Sequence, residues 1–271
     1  LFRSHNGREI STGLSRWHQH LRGVNLANNA EALAEFASRH GQALGSFESW
    51  QLAGRRQVNP GSPGEPMFLL RLTPAQSAAA ASSWQAGDII EVLPRNAAAH
   101  CRQWAEYLDL DLQATVSIGG QLSTVAEELA HRQLPADPAQ WPGKRSGPAA
   151  ECLAALPALH YREYSIASLP EDGAMELLIR QQRNADGSLG IGSGWLTAHA
   201  DVGQEIKLRI RCNPMFRAPT GDVPLILIGN GSGFAGLRAM LRARQQAGAH
   251  NNWLFFGERH PVTDRIFAED L

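Results

Sequence analysis

The chain has 271 residues, of which 43% are hydrophobic, and this length favours two domains. Its 25 Lys and Arg residues against 26 Asp and Glu residues leave a formal net charge of -1, so nucleic acid is not an expected partner. No run approaches the ~18 consecutive apolar residues of a membrane helix, so this segment is expected to make no membrane contact.

The cysteines and histidines form no pattern typical of a disulfide framework or a metal site. Cys101, Cys152 and Cys212 are widely spaced and outside any CxxC pair, which favours a reducing compartment and buried, unreactive thiols. The ten histidines lack partners at ligand spacing, so no metal is predicted. We expect a cytoplasmic location, or the cytoplasmic face of a membrane if the full chain is anchored.

The first part of the chain changes from a helical to a strand-like pattern. Residues 12–45 have a helical composition, so residues 1–48 are expected to be a linker or the tail of an upstream domain. From residue 49, two apolar runs separated by the turn formers at 59–64 predict a β-hairpin with a long loop. A third strand is expected at 89–94, where Pro94 ends it.

The middle of the chain predicts a helical insertion within an antiparallel barrel. Residues 97–148 form the insertion, with helices expected at 101–110 and 122–131 and a loop at 134–148. Strands are expected at three later places: 164–167, 174–182 and 205–211. Short strands separated by turns are typical of an antiparallel β-barrel, which we assign to residues 49–218.

The pattern switches to alternating strand and helix after Pro219. The apolar run at 224–228 is typical of a buried parallel strand, and a helix and the strand at 252–257 complete a βαβ unit. Residues 219–271 are therefore predicted to be the N-terminal part of an α/β domain with a parallel sheet. On the helix, apolar residues recur at helical spacing, and three arginines are expected on its solvated face: Arg238, Arg242 and Arg244.

A glycine-rich motif follows the first strand of the βαβ unit. Gly231, Ser232 and Gly233 open a GxGxxG sequence at the start of the helix, where glycines and unpaired N–H groups can approach a diphosphate. We interpret this as a nucleotide-binding turn, with a plain tight turn as the alternative. Glu258 follows the next strand, where a ribose-binding acid lies in the common dinucleotide fold, and this favours NADH over NADPH.

Two further motifs have the chemistry that flavin binding needs. Arg162 and Tyr164 share one side of a predicted strand, with Ser165 on the other side or at a bend. A guanidinium can bind a phosphate, and a phenol ring can stack on an isoalloxazine. A hydroxyl can hydrogen-bond to the reactive edge of the flavin. By residue type alone, an ordinary half-buried strand is the simpler interpretation. Residues 190–193 form a glycine-rich turn before a predicted helix at 196–200, suited to a diphosphate or to a hairpin end.

The order of these three motifs resembles the diflavin reductase branch of the ferredoxin–NADP reductase superfamily, which contains cytochrome P450 reductase and the sulfite reductase flavoprotein subunit. Three more segments, at 87–96, 213–219 and 253–260, are similar to the family patterns GD…vlPxN, NxxFRLP and LFFGxRH. The resemblance covers residues 49–271. Because the chain begins at Leu1 and ends soon after a strand, we expect it to be part of a longer protein with a truncated NADP domain.

The resemblance implies an oxidoreductase in which NADPH gives hydride to FAD, with electrons passing to an FMN domain upstream or to another acceptor. It implies that Arg162 holds an FAD phosphate, Tyr164 stacks on the isoalloxazine, and Ser165 is the catalytic residue near the flavin N5. Residues 190–193 would wrap the diphosphate, residues 178–180 would line the adenosine side, and Ser232 would contact the nicotinamide nucleotide. The remaining implied cofactor-binding residues are Glu163, Leu178, Ile179, Arg180, Gly190, Ile191, Gly192, Ser193, Gly231 and Gly233.

The chain also departs from the family pattern. Gly194 replaces a polar residue, Asn230 and Gly236 replace prolines, and the insertion is short for docking an FMN domain. Two alternatives therefore stay open: a membrane-tethered single-flavin reductase of ferric chelates, and a non-catalytic nucleotide-binding module.

Overall fold

The computed structural model describes residues 47–75, 83–143 and 147–267. The helix expected within residues 12–45, and most of the linker expected at 1–48, lie outside the described residues. The described strands are β1 (Glu48–Gln57), β2 (Met67–Pro74), β3 (Ile89–Val92), β4 (Thr115–Ile118), β5 (Gln121–Thr124), β6 (Arg162–Ser165), β7 (Met175–Arg180), β8 (Glu205–Arg211), β9 (Leu225–Asn230) and β10 (Asn252–Gly257).

The described helices are mostly short. They are α1 (Ala98–Leu108), α2 (Val125–Ala130), α3 (Ala149–Ala154), α4 (Ile191–Gly194) and α5 (Phe234–Gln246). Helix α4 continues as a π-helical turn over Trp195–His199, close to the helix predicted at 196–200. Short 3-10 turns lie at Pro138–Gln140, Pro170–Asp172 and Gly231–Gly233.

Six strands form an antiparallel sheet in the order β6-β3-β8-β1-β2-β7. The predicted hairpin is confirmed, because β1 pairs with β2 and places Leu52 opposite Leu72. Alternate side chains of each strand point into one core, as the period of two requires, so that Trp50, Leu52 and Leu70 are buried. The core of the sheet is thus formed by the apolar residues from which these strands were predicted.

The sheet does not close into the predicted barrel. Its two end strands, β6 and β7, are joined by the isolated bridge between Ile166 and Leu177 and by the Ala167 N–H, which donates to the Glu176 carbonyl at 2.8 Å. Strand β6 has four residues, and the chain turns into the 3-10 segment Pro170–Asp172 soon after it. The antiparallel sheet is therefore confirmed, and full closure is wrong because β6 is too short to pair along β7.

The insertion forms its own small core from helices and one hairpin. Strand β5 pairs with β4, so the helix predicted at 122–131 begins later than expected, at Val125. Thr124 sets this start, because its side chain accepts the N–H of Glu127 as an N-cap. The loop predicted at 134–148 is followed by α3. Buried apolar side chains hold the insertion together, among them Trp104, Leu108, Val125, Leu129, Leu153 and Leu156.

The predicted βαβ unit is confirmed, since β9 and β10 are parallel and α5 connects them. Phe234 and Leu237 of α5 pack in one cluster with Leu227 of β9 and with Met67 and Leu178 of the antiparallel sheet. The other face of β9 and β10 exposes large apolar side chains, namely Ile226, Ile228, Trp253 and Phe255. The predicted division at residues 48/49 and 218/219 stays a prediction.

The arginines of α5 are not the solvated face that the helical spacing predicted. Arg238 is buried and donates to the Glu176 carboxylate at 2.7 Å, and Arg242 pairs with Asp172. Arg244 is also buried, and donates to the Asn252 side chain at 2.5 Å and to the Val223 carbonyl at 2.6 Å. Periodicity failed here because long guanidinium side chains can be buried when carboxylates and carbonyls satisfy their donors.

Three further findings concern the cysteines, the helices and the possible metal ligands. Cys101 and Cys152 are buried, whereas Cys212 is exposed, contrary to the expectation that all three are buried. No helix of the described part of the chain is long and apolar enough to cross a membrane. Within residues 47–75, 83–143 and 147–267, no cluster of three His, Cys, Asp or Glu side chains is placed to hold a metal ion.

Candidate functional site

A cavity of about 550 Å³ lies where β6, the end of β7 and the start of α4 meet. It brings together residues from all three sequence motifs, although these are far apart in the chain. Its lining consists of Arg162, Glu163, Tyr164, Leu178, Ile179, Arg180, Gln182, Asn184, Gly190, Ile191, Gly192, Ser193 and Ser232. We refer to it as the larger cavity, in comparison with a second cavity of about 370 Å³ beside Gly231.

Strand β6 places the Arg162 side chain in the larger cavity. Pairing with β3 sets Arg162 opposite Val92 and Tyr164 opposite Ile90, so both side chains point to the same side. The Arg162 guanidinium donates to the carbonyls of His160 at 3.0 Å and Tyr161 at 3.2 Å. Among the described residues no carboxylate pairs with Arg162, so its charge is available to an anionic ligand.

Tyr164 lies half-buried beside Arg162. Burial raises the pKa of the Tyr164 phenol to about 12, and the nearby charge of Arg162 acts in the opposite direction. Desolvation therefore dominates, because a buried phenolate loses more hydration than one cation restores. Tyr164 is a neutral ring at physiological pH, with a flat surface at the cavity wall.

Gly192 lies directly against Arg162 and Tyr164. A Cβ on this residue would be 2.6 Å from the Arg162 Cγ and 2.8 Å from the Tyr164 Oη, closer than van der Waals contact allows. No larger residue fits without moving one of these two side chains. The backbone of the turn thus forms part of the cavity surface.

Hydrogen bonds fix the glycine-rich turn to the end of β7. The Ser193 hydroxyl accepts the N–H of Gln182 at 3.0 Å, and the Thr197 hydroxyl donates to the Ser193 carbonyl at 2.6 Å. The Gln181 side chain donates in turn to the Thr197 hydroxyl at 2.9 Å, and both groups are buried. The predicted diphosphate turn is therefore held rigidly beside the strand that lines the cavity.

Two of the predicted site residues have other surroundings. Glu163 is at the cavity edge, but its carboxylate pairs with Arg211 at 3.1 Å. Ser165 does not line the larger cavity; its Oγ lies 3.7 Å from where a Cβ on Gly236 would be. Ser165 is thus at the start of α5, and its catalytic role stays a prediction. No motif marked Gln182 or Asn184, which enter the cavity because they follow β7.

A smaller cavity of about 370 Å³ lies at the carboxyl ends of β9 and β10. It is lined by Arg180, Asn230, Gly231, Gly257, Glu258 and Arg259. Gly231 has a φ of 53°, a conformation that favours glycine. Of the three residues predicted at this turn, Gly231 lines the smaller cavity, Ser232 lines the larger cavity, and Gly233 lines neither.

Glu258 does not present the free carboxylate that a ribose-binding acid would need. Its Oε1 accepts a hydrogen bond from the Arg180 guanidinium at 2.7 Å, and its side chain is 7% exposed. The preference for NADH that we based on Glu258 therefore has no support from its geometry. Spacing alone identified the position but gave no information on a partner 78 residues away in the chain.

Two of the additional segments that resemble the family contact each other. Asp88 pairs with Arg217 and also accepts the N–H of Asn213 at 2.9 Å. At Gly87 a Cβ would be 1.8 Å from the Phe216 carbonyl oxygen, so the two backbones meet where glycine alone fits. The segments at 87–96 and 213–219 thus contact each other directly.

The chain is similar to known flavoprotein reductases over part of its length, although no family model matches it. It is 35% identical over 116 residues to the sulfite reductase [NADPH] flavoprotein alpha-component of Mannheimia succiniciproducens, covering 40% of this chain and 19% of that protein. For the Vibrio vulnificus protein of the same name it is 33% identical over 130 residues, covering 45% and 20%. It is also 36% identical over 130 residues to NADPH-dependent diflavin oxidoreductase 1 of Cryptococcus neoformans var. neoformans serotype D, covering 45% and 21%.

The chain therefore spans about one fifth of the length of these relatives. Two kinds of NADPH-dependent flavoprotein are found among them, and both names agree with the motifs in the sequence. The predicted resemblance is confirmed: over the aligned region, the chain is similar to sulfite reductase flavoprotein alpha-components and to an NADPH-dependent diflavin oxidoreductase.

Proposed function

We propose that this chain is the FAD-binding part of an NADPH-dependent flavoprotein reductase and that FAD binds in the larger cavity. The observation that carries the proposal is the meeting of Arg162, Tyr164 and the turn at 190–193 around one cavity of about 550 Å³. Three motifs that are individually weak line the same space. The names of the relatives support both the flavin and NADPH.

The residues of the larger cavity fit the chemistry of FAD. Arg162 offers a guanidinium to a phosphate, and the start of α4 brings backbone close to the cavity because Gly192 has no Cβ. Tyr164 offers a neutral aromatic surface, and Leu178 and Ile179 form an apolar wall. A dinucleotide with both a charged diphosphate and flat rings requires this combination.

When bound, FAD supplies the redox chemistry of such a reductase, accepting hydride from NADPH and giving electrons to an FMN domain or another acceptor. The residues of this chain would bind and orient the FAD. Arg162 would neutralise a phosphate, and Tyr164 would cover one flavin face. A hydrogen bond from Ser165 near the flavin N5 would require the flavin to extend beyond the larger cavity towards the start of α5, where Ser165 lies. The smaller cavity, beside the Gly231 turn, would take phosphate groups of the nicotinamide nucleotide.

Titration of the purified chain with FAD tests the proposal. We expect the Arg162→Ala variant to bind FAD about tenfold or more weakly than the unchanged chain, because a hydrogen-bonded charge pair is lost. Arg102→Ala is the matched control, since Arg102 is exposed on α1 and outside both cavities. Failure of the unchanged chain to bind FAD, or equal binding by Arg162→Ala, would reject the proposal. Loss of flavin absorbance on addition of NADPH to the full-length protein would exclude a non-catalytic module.

A further inference from the structure

The smaller cavity contains an ion pair between the two sheets. Arg180 ends β7 in the antiparallel sheet, and Glu258 follows β10 in the parallel sheet. Their side chains, 12% and 7% exposed, meet at 2.7 Å. The Gly231 backbone lies against the pair, because a Cβ there would be 3.2 Å from the Arg180 Nη2 and 3.6 Å from the Glu258 Oε1.

Both oxygens of the Glu258 carboxylate engage donors that line the cavity. One accepts from the Arg180 guanidinium at 2.7 Å, and the other accepts the backbone N–H of Arg259 at 3.1 Å. A guanidinium and a backbone N–H beside a glycine turn are also the donors that bind phosphate in proteins. The carboxylate therefore makes the hydrogen bonds that a phosphate in this cavity would need.

We propose that the Glu258 carboxylate occupies the anion position of the smaller cavity and so weakens the binding of phosphate-bearing nucleotides there. This inference rests on the proposed function, which places phosphates of the nicotinamide nucleotide in that cavity. An entering phosphate must separate Glu258 from Arg180 or lie beside a second negative charge, and the low exposure of the pair limits screening by water. The Glu258 carboxylate thus lowers the affinity of the smaller cavity for phosphate.

The test compares NADP⁺ binding to the unchanged chain and to the Glu258→Gln variant by calorimetry, with and without FAD. Glutamine keeps the size of the side chain and removes its charge, so we expect NADP⁺ to bind about tenfold more tightly. Inorganic pyrophosphate should show the same gain, which assigns the effect to phosphate, and the gain should shrink at high salt. Glu128→Gln is the matched control, since Glu128 pairs with Arg132 at 2.6 Å in the insertion, outside both cavities.

A second variant, Arg180→Gln with Glu258→Gln, removes both charges and leaves no buried cation unpaired. Its affinity for NADP⁺ should return to that of the unchanged chain or fall below it, because the freed guanidinium is gone. Equal or weaker binding by Glu258→Gln, or no binding of NADP⁺ and pyrophosphate to any variant, overturns the inference. Because the titrations are also made without FAD, a failure of FAD binding rejects the proposed function and leaves the comparison at Glu258 readable.

Discussion

The absence of a side chain at Gly192 leaves room for the Arg162 and Tyr164 side chains in the larger cavity. We expect Gly192→Ala to weaken FAD binding about tenfold, because its Cβ would push away the Arg162 or Tyr164 side chain, which lie 2.6 and 2.8 Å from that position. Fluorescence titration with FAD measures the effect. Gly54→Ala is the control, since a Cβ at Gly54 would meet nothing within 4 Å; equal FAD affinity in both variants would contradict the geometry.

We expect Tyr164 to make the folded chain less stable as the pH becomes strongly alkaline. Burial raises the pKa of its phenol to about 12, so between the ordinary value of 10 and 12 the unfolded chain loses a proton that the folded chain keeps. The free energy of unfolding contributed by Tyr164 is therefore complete below pH 10 and is lost as the pH rises towards 12. Urea unfolding at several pH values should show this fall, and Tyr164→Phe should reduce it. An ordinary titration of all three tyrosines would count against the prediction.

At the scale of residues, the sequence predicted residues that meet at one cavity, but not their ion-pair partners, and the roles of these residues towards a flavin stay predictions. Arg162, Tyr164 and Gly192 were assigned because the order of three motifs resembles a flavoprotein family, since residue type alone favoured an ordinary strand. The pairing of Glu163 with Arg211 and of Glu258 with Arg180 was missed. Ion pairs between distant strands depend on sheet order, and no local spacing contains that information.

At the scale of elements, α5 is fastened to the antiparallel sheet by a buried arginine. We expect Arg238→Ala to lower the free energy of unfolding by about 3 kcal/mol, because the Glu176 carboxylate loses its buried partner at 2.7 Å and keeps only the more exposed Arg71 at 3.9 Å. Arg242→Ala, which breaks a more exposed pair with Asp172, should cost about 1 kcal/mol. Chemical denaturation measures both. Equal costs would show that burial does not set the strength of these contacts.

The helices and strands with strong periodicity were predicted well, and the short ones were not. Strands β1, β2, β9 and β10 have apolar runs bounded by turn formers, and each was found where expected. The hairpin of β4 and β5 was missed because Gln121–Thr124 is largely polar and exposed, so no alternation marks it. Barrel closure also failed as a prediction, since it depends on how far β6 pairs beyond Ser165.

At the scale of the whole molecule, the outer face of the parallel sheet exposes four large apolar side chains, those of Ile226, Ile228, Trp253 and Phe255. Ile228 and Trp253 are each 65% exposed on it, although parallel sheets are normally covered on both faces. We expect the chain to self-associate as its concentration rises, and Ile228→Thr with Trp253→Thr to reduce this without changing FAD affinity. Sedimentation velocity measures it. Val262→Thr, at an exposed apolar residue outside this face, should have no effect, and equal association of all three proteins would contradict the prediction.

The position of β8 has a consequence for how the protein is made. In the sheet order, β8 lies between β3, which pairs with β6, and β1, which pairs with β2. Among the described residues, the two halves of the sheet are otherwise joined only by the short bridge between Ile166 and Leu177, so β8 supplies most of the pairing between them. Arg162 and Tyr164 are on one half, and Leu178 and Ile179 on the other. During synthesis from the N-terminus, the pairing through β8 that holds the two cavity walls together cannot form until Glu205–Arg211 has left the ribosome. A nascent chain arrested before β8 should therefore contain nearly every lining residue and still fail to capture flavin.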